Sequence, residues 1–448
     1  MSERADTRRE LRRELGVFSA SLLVVGGIIG SGIFFTPAET ARALPTSAWV
    51  LAVWTLGGVV ALAGALTYAE LGAMMPEAGG GYVYVREAFG RLPAFLLGWM
   101  TLLMIASGAI AAVAMGFAGY LERFMPIDAV GGRLGVAAIT IVALTVTNYL
   151  GVKPGTVTAN IFTLSKIAAL TALIVIGLAL NPGPPPLVVA PAAPPLVNGF
   201  AAAFVAVLFT IGGWQQTNMV AGEIRDPGRT LPKALAVGIG IVIAVYLGAN
   251  IVYLRALGRD GLAASMAVAA DTASRLIGPA GATAITVAAM LSIFGFVNVA
   301  LLTNARVLYA LGQDGAFLPS AGKVHPQFGS PHIALMMLGG WSLVLLFATR
   351  GTIGTLLSGV VFADWIFFGL GAASVFVLRR TRPALHRPYR VLGYPWLPAF
   401  FVLAAVVGII AAYVSALRMS LVGTAMLVAG VVLYKWRSSA IATNSSAR

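Results

Sequence analysis

Apolar stretches of about 20 residues follow one another along almost the whole chain, separated by short polar or glycine- and proline-rich segments. At about 1.5 Å per residue, each is long enough to cross a ~30 Å hydrocarbon core as a helix. The pattern predicts an all-α polytopic membrane protein with twelve spans, over residues 17–42, 47–74, 92–120, 133–150, 158–180, 198–222, 234–256, 281–309, 333–349, 352–378, 396–416 and 419–436. Pro182 to Pro195 is too rich in proline for a helix and reads as an extended outer connection between spans 5 and 6. Residues 76–90 read as a polar and aromatic connection, residues 262–277 as a short interfacial helix, and residues 313–332 as a loop covering one face of the bundle. These boundaries predict a polar N-terminus (1–16), a first five-span unit (17–180), the proline-rich loop (181–197) and a second five-span unit (198–380). A basic loop with two further spans (381–436) and a polar tail (437–448) complete the chain.

Composition agrees with this reading. Only 10% of the 448 residues are charged, 59% are hydrophobic, and mean hydropathy is +0.90, whereas soluble domains carry roughly 25% charged residues. The net charge of +14 does not predict nucleic-acid binding, because it is distributed by side. Arg42, Arg123, Arg133, Arg255, Arg259, Arg275, Arg350 and Arg418 fall on one side of the predicted membrane, and every other basic residue except Lys166 falls on the side of the N-terminus. The positive-inside rule then sets both termini in the cytoplasm. No small-residue cleavage site follows the first apolar stretch, so it is expected to be a retained helix. Cysteine is absent, which excludes disulfides, thiolate metal sites and a disulfide-linked partner subunit. His325, His332 and His386 fall in or beside loops, so neither an intramembrane metal site nor a cofactor is expected.

Two spans are interrupted at corresponding places in the two units. Span 1 contains Gly26-Gly27-Ile28-Ile29-Gly30-Ser31-Gly32, and span 6 contains Thr210-Ile211-Gly212-Gly213-Trp214. Each glycine costs a helix interior up to about 1 kcal/mol, so the clusters predict local unwinding. Small residues also line close helix packing, but glycine-broken spans at matching positions of two halves mark transporter binding sites. Where span 1 restarts, free amides and the positive end of the helix dipole suit a carboxylate. Carbonyls at Phe209-Thr210-Ile211 suit an ammonium group. Together they predict a clamp for a zwitterion.

Two charges lie within spans. Lys166 sits about 12 Å deep in span 5, where an amine is a functional-site candidate unless it snorkels to the interface. Asp364 lies near the middle of span 10, as a hydrogen-bonded structural aspartate or as a coupling group. Glu70, Glu223 and Arg306 fall at the cytoplasmic ends of spans, where an inner gate of ion pairs is plausible.

Gly26 to Phe34 (Gly-Gly-Ile-Ile-Gly-Ser-Gly-Ile-Phe) resembles the first-helix signature of the amino acid–polyamine–organocation superfamily. Three more stretches are similar to that family: Tyr68-Ala69-Glu70-Leu71 to Tyr84, Gly213-Trp214 to Pro232, and Arg306 to His332 with Asp314-Gly315 and Val324-His325-Pro326. The Phe209-x-x-Gly-Gly-Trp214 pattern resembles bacterial relatives of the L-type amino acid transporters. The resemblance implies a LeuT-type five-plus-five inverted repeat, spans 1 and 6 unwound, two extra C-terminal helices, and alternating access. It also implies a substrate site at Ile29, Gly30, Ser31, Gly32, Phe209, Thr210, Ile211 and Gly213. The amides of Ser31 and Gly32 would take the substrate carboxylate, the carbonyls of Phe209 and Ile211 its amine, and the Phe209 ring would gate the site. Lys166 matches a lysine that replaces the coupling sodium ion in sodium-independent members, held by Gly26 and Ile29.

The chain departs from the family at three places. Phe294-Gly295-Phe296 stands where Phe-Gly-Ser is common, leaving Ser292 as the substitute hydroxyl near Lys166. Gln215 replaces the glutamate of acid-resistance antiporters, and Ile211 stands where a tyrosine is frequent, which would reshape the pocket. The expected function is sodium-independent carriage of neutral L-amino acids across a bacterial plasma membrane, by exchange or proton symport. A cationic amino acid or polyamine carrier is the alternative.

Overall fold

The computed structural model describes residues 13–446 except residues 123, 189–192, 352 and 416; the side chains of 152–154, 353–359, 361, 415 and 437–446 are likewise not described. Residues 1–12, 189–192 and 447–448, and with them Arg4, Arg8, Arg9, Arg12, Arg123 and Arg448 of the charge argument, lie outside the described residues, as do the side chains of Lys153 and Arg437.

In chain order the helices are α1 (Val17–Ile28), α2 (Gly32–Ala43), α3 (Ser47–Met74), α4 (Gly81–Phe89), α5 (Arg91–Met100), α6 (Ala106–Leu121), α7 (Gly132–Tyr149) and α8 (Val152–Ala179). They continue as α9 (Leu196–Thr210), α10 (Gln216–Met219), α11 (Pro227–Ala264), α12 (Val268–Gln313), α13 (His332–Ala348), α14 (Ile353–Thr381), α15 (Trp396–Ser415) and α16 (Leu417–Ser446). Among the described residues nine helices are long and apolar enough to cross a membrane, or ten if the bent pair α1 and α2 is one span. The chain is a polytopic helical membrane protein. Hydrocarbon offers the backbone no hydrogen-bond partners, so helices, which satisfy their own, are the spanning form these apolar runs can take.

The helices are not equivalent. α1 is buried from Ala20 to Ile28, enclosed by α8, α11 and α12. By contrast, α8 exposes Val157, Ile161, Leu164 and Val175, and α16 exposes Leu421, Val428 and Val432. Apolar side chains on an outer surface are what a lipid-facing helix requires, while a helix apolar all round belongs in the core. α1 is the central element.

Three departures from the expected layout have local causes. The connection over residues 76–90 contains α4, entered through Gly79 and Gly80 at φ +109° and +49°. A Cβ at Gly80 would lie 2.8 Å from the backbone of Asn218 and Met219, and the Gly79 amide donates to the Met219 carbonyl at 2.9 Å. The expected outer helix over 262–277 is instead split between α11 and α12, which carry left-handed kinks at Gly258 (φ +68°) and Gly278 (φ +78°). Between α5 and α6, Thr101–Ile105 forms a turn of π-helix, and the Ser107 hydroxyl donates to the Leu102 carbonyl five residues back at 2.6 Å.

The start of the described chain is fixed to the middle. Leu15 pairs with Ile224 in an isolated parallel bridge, the amides of Glu14 and Leu15 donate to the Glu223 carbonyl at 2.9 Å, and Arg225 returns its amide to Leu15 at 2.8 Å.

Candidate functional site

The glycine cluster of the first apolar run breaks it into α1 and α2, which bend by 42° across Ile29, Gly30 and Ser31. The carbonyls stranded by the break are met by side chains from other helices. Lys166, on α8 and 1% exposed, donates its Nζ to the Gly26 carbonyl at 3.0 Å and to the Ile29 carbonyl. The Ser292 hydroxyl, on α12, donates to the carbonyls of Ile29 and Gly30, each at 3.2 Å. Ser292 therefore shares a carbonyl with Lys166 and does not bond the amine itself. On the other side of the break, the amides of Ser31 and Gly32 make no hydrogen bond among the described residues.

The second break separates α9 from α10 and caps itself. The Gly212 amide donates to the Phe209 carbonyl at 3.2 Å, the Gln215 side chain accepts from the Gly213 amide at 3.0 Å, and the Gln216 amide donates to the Gly213 carbonyl at 3.1 Å. Gly213 has φ +104°, and a Cβ there would overlap the Gly27 carbonyl, so the two breaks touch backbone to backbone. One side chain serves both. The Tyr246 hydroxyl, on α11, lies 3.1 Å from the Ile28 carbonyl and 3.3 Å from the Thr210 carbonyl. Thr210 and Thr36 add a hydroxyl pair at 2.6 Å.

A cavity of about 100 Å³ lies against both breaks. Gly30, Ser31, Gly32, Phe209, Thr210, Gly213, Gln215, Phe296 and Asp364 are on its wall, and the wall runs on to Gly79, Tyr82 and Met219 beside α4. Ile29 and Ile211, expected at the site, do not line it. Phe209 and Ile211 are two residues apart at the end of α9, about 200° around a helix axis, so both side chains cannot face one cavity. Ile211 instead lines a separate, much smaller space with Trp54 and Tyr246. Trp214 also turns away, buried between Tyr68, Phe368 and Phe401. The Phe209 carbonyl accepts from the Gly212 amide at 3.2 Å, which leaves its second lone pair available to a ligand. Phe296 covers Gly30, where a Cβ would come within 2.9 Å of its ring.

The sequence did not single out Tyr246, nor the π-helical turn whose Thr101 and Ile105 line the cavity. Tyr246 offered one signal: a phenol in an apolar span must find a partner for its hydroxyl. The charged trio is divided. Arg306 and Glu223 form a fully buried pair at 2.7 Å, whereas Glu70 pairs with Arg379 at 2.6 Å and Arg387 at 3.6 Å. A second cluster gathers at the α4 end of the cavity, where Arg86 binds Asp314 at 2.7 Å and Glu87 at 2.9 Å, and Tyr82 donates to Asp314 at 2.7 Å. Partial burial works to raise the Glu87 carboxyl, but hydrogen bonds from Arg382 and Arg86 outweigh it and hold the group below the usual carboxylate range.

A family model described as "Amino acid permease" matches residues 15–434. "Large neutral amino acids transporter small subunit 2" of Mus musculus is 34% identical over 390 residues, covering 85% of this chain and 73% of the relative. "Asc-type amino acid transporter 1" of Mus musculus is 33% identical over 86% of this chain and 74% of its own length. "b(0,+)-type amino acid transporter 1" of Homo sapiens is 31% identical over 85% of this chain and 79% of its own length.

Proposed function

The chain belongs to the amino acid permease family, a family of transporters and not of enzymes, and we propose that it carries neutral L-amino acids without sodium. In this reading it spans a bacterial plasma membrane twelve times, with both termini in the cytoplasm. Residues 17–180 and 198–380 act as the two inverted halves of a LeuT-type fold, and residues 381–436 add two further spans. Transport proceeds by alternating access, as exchange or proton symport.

The observation that carries the reading is the Lys166 ammonium on the carbonyls of Gly26 and Ile29. Carbonyls freed by a broken helix are a natural cation site. Here a covalently attached ammonium takes that place, so no dissolved sodium ion is needed. The unbonded amides of Ser31 and Gly32 at the start of α2 support carboxylate binding. The Phe209 ring on the cavity wall supports a gate. The substrate amine would be met by the second break, where the Phe209 carbonyl keeps a lone pair beside its bond to the Gly212 amide. The printed name of the mouse "Large neutral amino acids" relative supports the neutral class. One observation favours the cationic alternative, namely the carboxylate of Asp364 on the same wall.

The test is uptake of labelled amino acids into proteoliposomes, with and without internal amino acid, with an imposed pH gradient, and with sodium varied. The expected result is saturable uptake of neutral amino acids at zero sodium. Uptake that requires sodium would sink the role given to Lys166. Strict dependence on internal amino acid selects exchange, and accumulation driven by the pH gradient alone selects symport.

A further inference from the structure

Asp364 is the one carboxylate among the described residues lining the cavity, and binding of the amino acid's own charges leaves it unused. It lies in the part of α14, Phe362–Thr381, that is apolar enough to cross a membrane, and it shares the wall with Tyr68, Phe209, Trp365 and Phe368. A carboxylate at that depth is costly unless something pairs with it. Among the described residues no side chain does. The Tyr68 hydroxyl, next to it on the wall, donates instead to the carbonyls of Phe367 at 3.4 Å and Phe368 at 3.2 Å. The nearest arginine along the same helix, Arg379, starts about 22 Å further along the axis and is held by Glu70. Lys166 is taken by the first break, and the Gln215 oxygen by the Gly213 amide. Among the described residues, what remains to meet the carboxylate is the content of the cavity.

We propose that Asp364 reads the substrate's side chain, so that the cavity prefers neutral amino acids whose side chain ends in an O–H or N–H donor over aliphatic ones of the same size. The proposal rests on the reading of the two breaks as the holders of the α-carboxylate and α-amine. With both of those groups bound at α2 and α9, the side chain is the part free to reach α14. Discrimination follows from what the wrong substrate does. An aliphatic isostere would press methyl groups against an unpaired carboxylate, whereas a purely apolar pocket distinguishes such isosteres only weakly.

The experiment is inhibition of labelled L-alanine uptake in proteoliposomes by three isosteric pairs: threonine and valine, asparagine and leucine, lysine and 2-aminoheptanoic acid. Wild type is compared with Asp364→Asn and Asp364→Ala. In wild type, threonine and asparagine should inhibit roughly five to a hundred times more strongly than valine and leucine, the range for leaving a buried polar group unpaired. The ratio should fall to about unity in Asp364→Ala and take an intermediate value in Asp364→Asn, which keeps an acceptor but loses the charge. A ratio within one preparation does not depend on how much of a variant folds. Equal inhibition within the threonine and asparagine pairs in wild type, or an unchanged ratio in Asp364→Ala, overturns the assignment. Inhibition by valine and leucine in that case leaves the neutral-carrier reading standing. A lysine preference exceeding the threonine one, and lost in Asp364→Asn, overturns the proposal as stated in favour of a cationic side chain. Inhibition by none of the six overturns the neutral-carrier reading, and the proposal with it.

Discussion

The two helix breaks solve one problem in opposite ways. Both strand backbone groups where lipid cannot serve them. The α1–α2 break has its carbonyls met from a distance, by Lys166 on α8, Ser292 on α12 and Tyr246 on α11. The α9–α10 break uses neighbours in the chain, through Gly212 on Phe209, Gln215 on Gly213 and Gln216 on Gly213. Among the described residues, other helices reach the second break through the hydroxyls of Tyr246 and Thr36 at Thr210, so its turn at Gly212 and Gly213 depends mainly on its own chain neighbours. A remotely capped break keeps its shape only while those helices stay in place, so it is the one that can respond to them.

That contrast sets an order of sensitivity. Lys166→Met should be the most damaging change, because it removes the only donor to the Gly26 carbonyl among the described residues. A buried acceptor left bare costs about 1–3 kcal/mol, more where the lost donor was charged. We expect at least a hundredfold loss of uptake and a clear fall in Tm, read by transport and by thermal unfolding in detergent; wild-type values in both would break the comparison. Gly213→Ala comes next, since the added methyl meets the Gly27 carbonyl and φ +104° strains any other residue. Its neighbour Gly212 has negative φ and a nearest contact of 3.2 Å, so Gly212→Ala should be far milder, and equal uptake by the two variants would show that the breaks do not touch as described. Tyr246→Phe should cost roughly 1–2 kcal/mol of stability and raise KM, because one hydroxyl serves both breaks. Smallest of all is Gln215→Ala, within about 1 kcal/mol, since the tight turn at Gly212 and Gly213 persists without it. A Gln215→Ala effect as large as that of Lys166→Met would mean that the second break is not self-sustaining.

The helical, membrane-spanning class was legible in the apolar runs, because hydrocarbon thickness fixes their length. The breaks were legible in the glycines, and so was the pairing of Lys166 with Gly26 and Ile29, from depth together with family resemblance. What was not legible follows from helix phase and from long-range contact. Span 6 read as one unwound stretch gave Ile211 and Phe209 the same direction, whereas the preserved turn of α9 sends them to different cavities. Tyr246 is 36 residues from Thr210 and 218 from Ile28, separations across which no local pattern carries information. Nine-residue α4 was hidden because it is short and sits between Gly79-Gly80 and Gly90, which read as loop punctuation beside twenty-residue runs.

The parallel pairing of Leu15 with Ile224 couples the foot of α1 to the residues just beyond α10. Glu223 is the shared anchor, since its carbonyl accepts from the N-terminal strand while its carboxylate grips Arg306 on α12. The two interrupted helices are thus tied at their bases through one residue, by its backbone on one side and its carboxylate on the other.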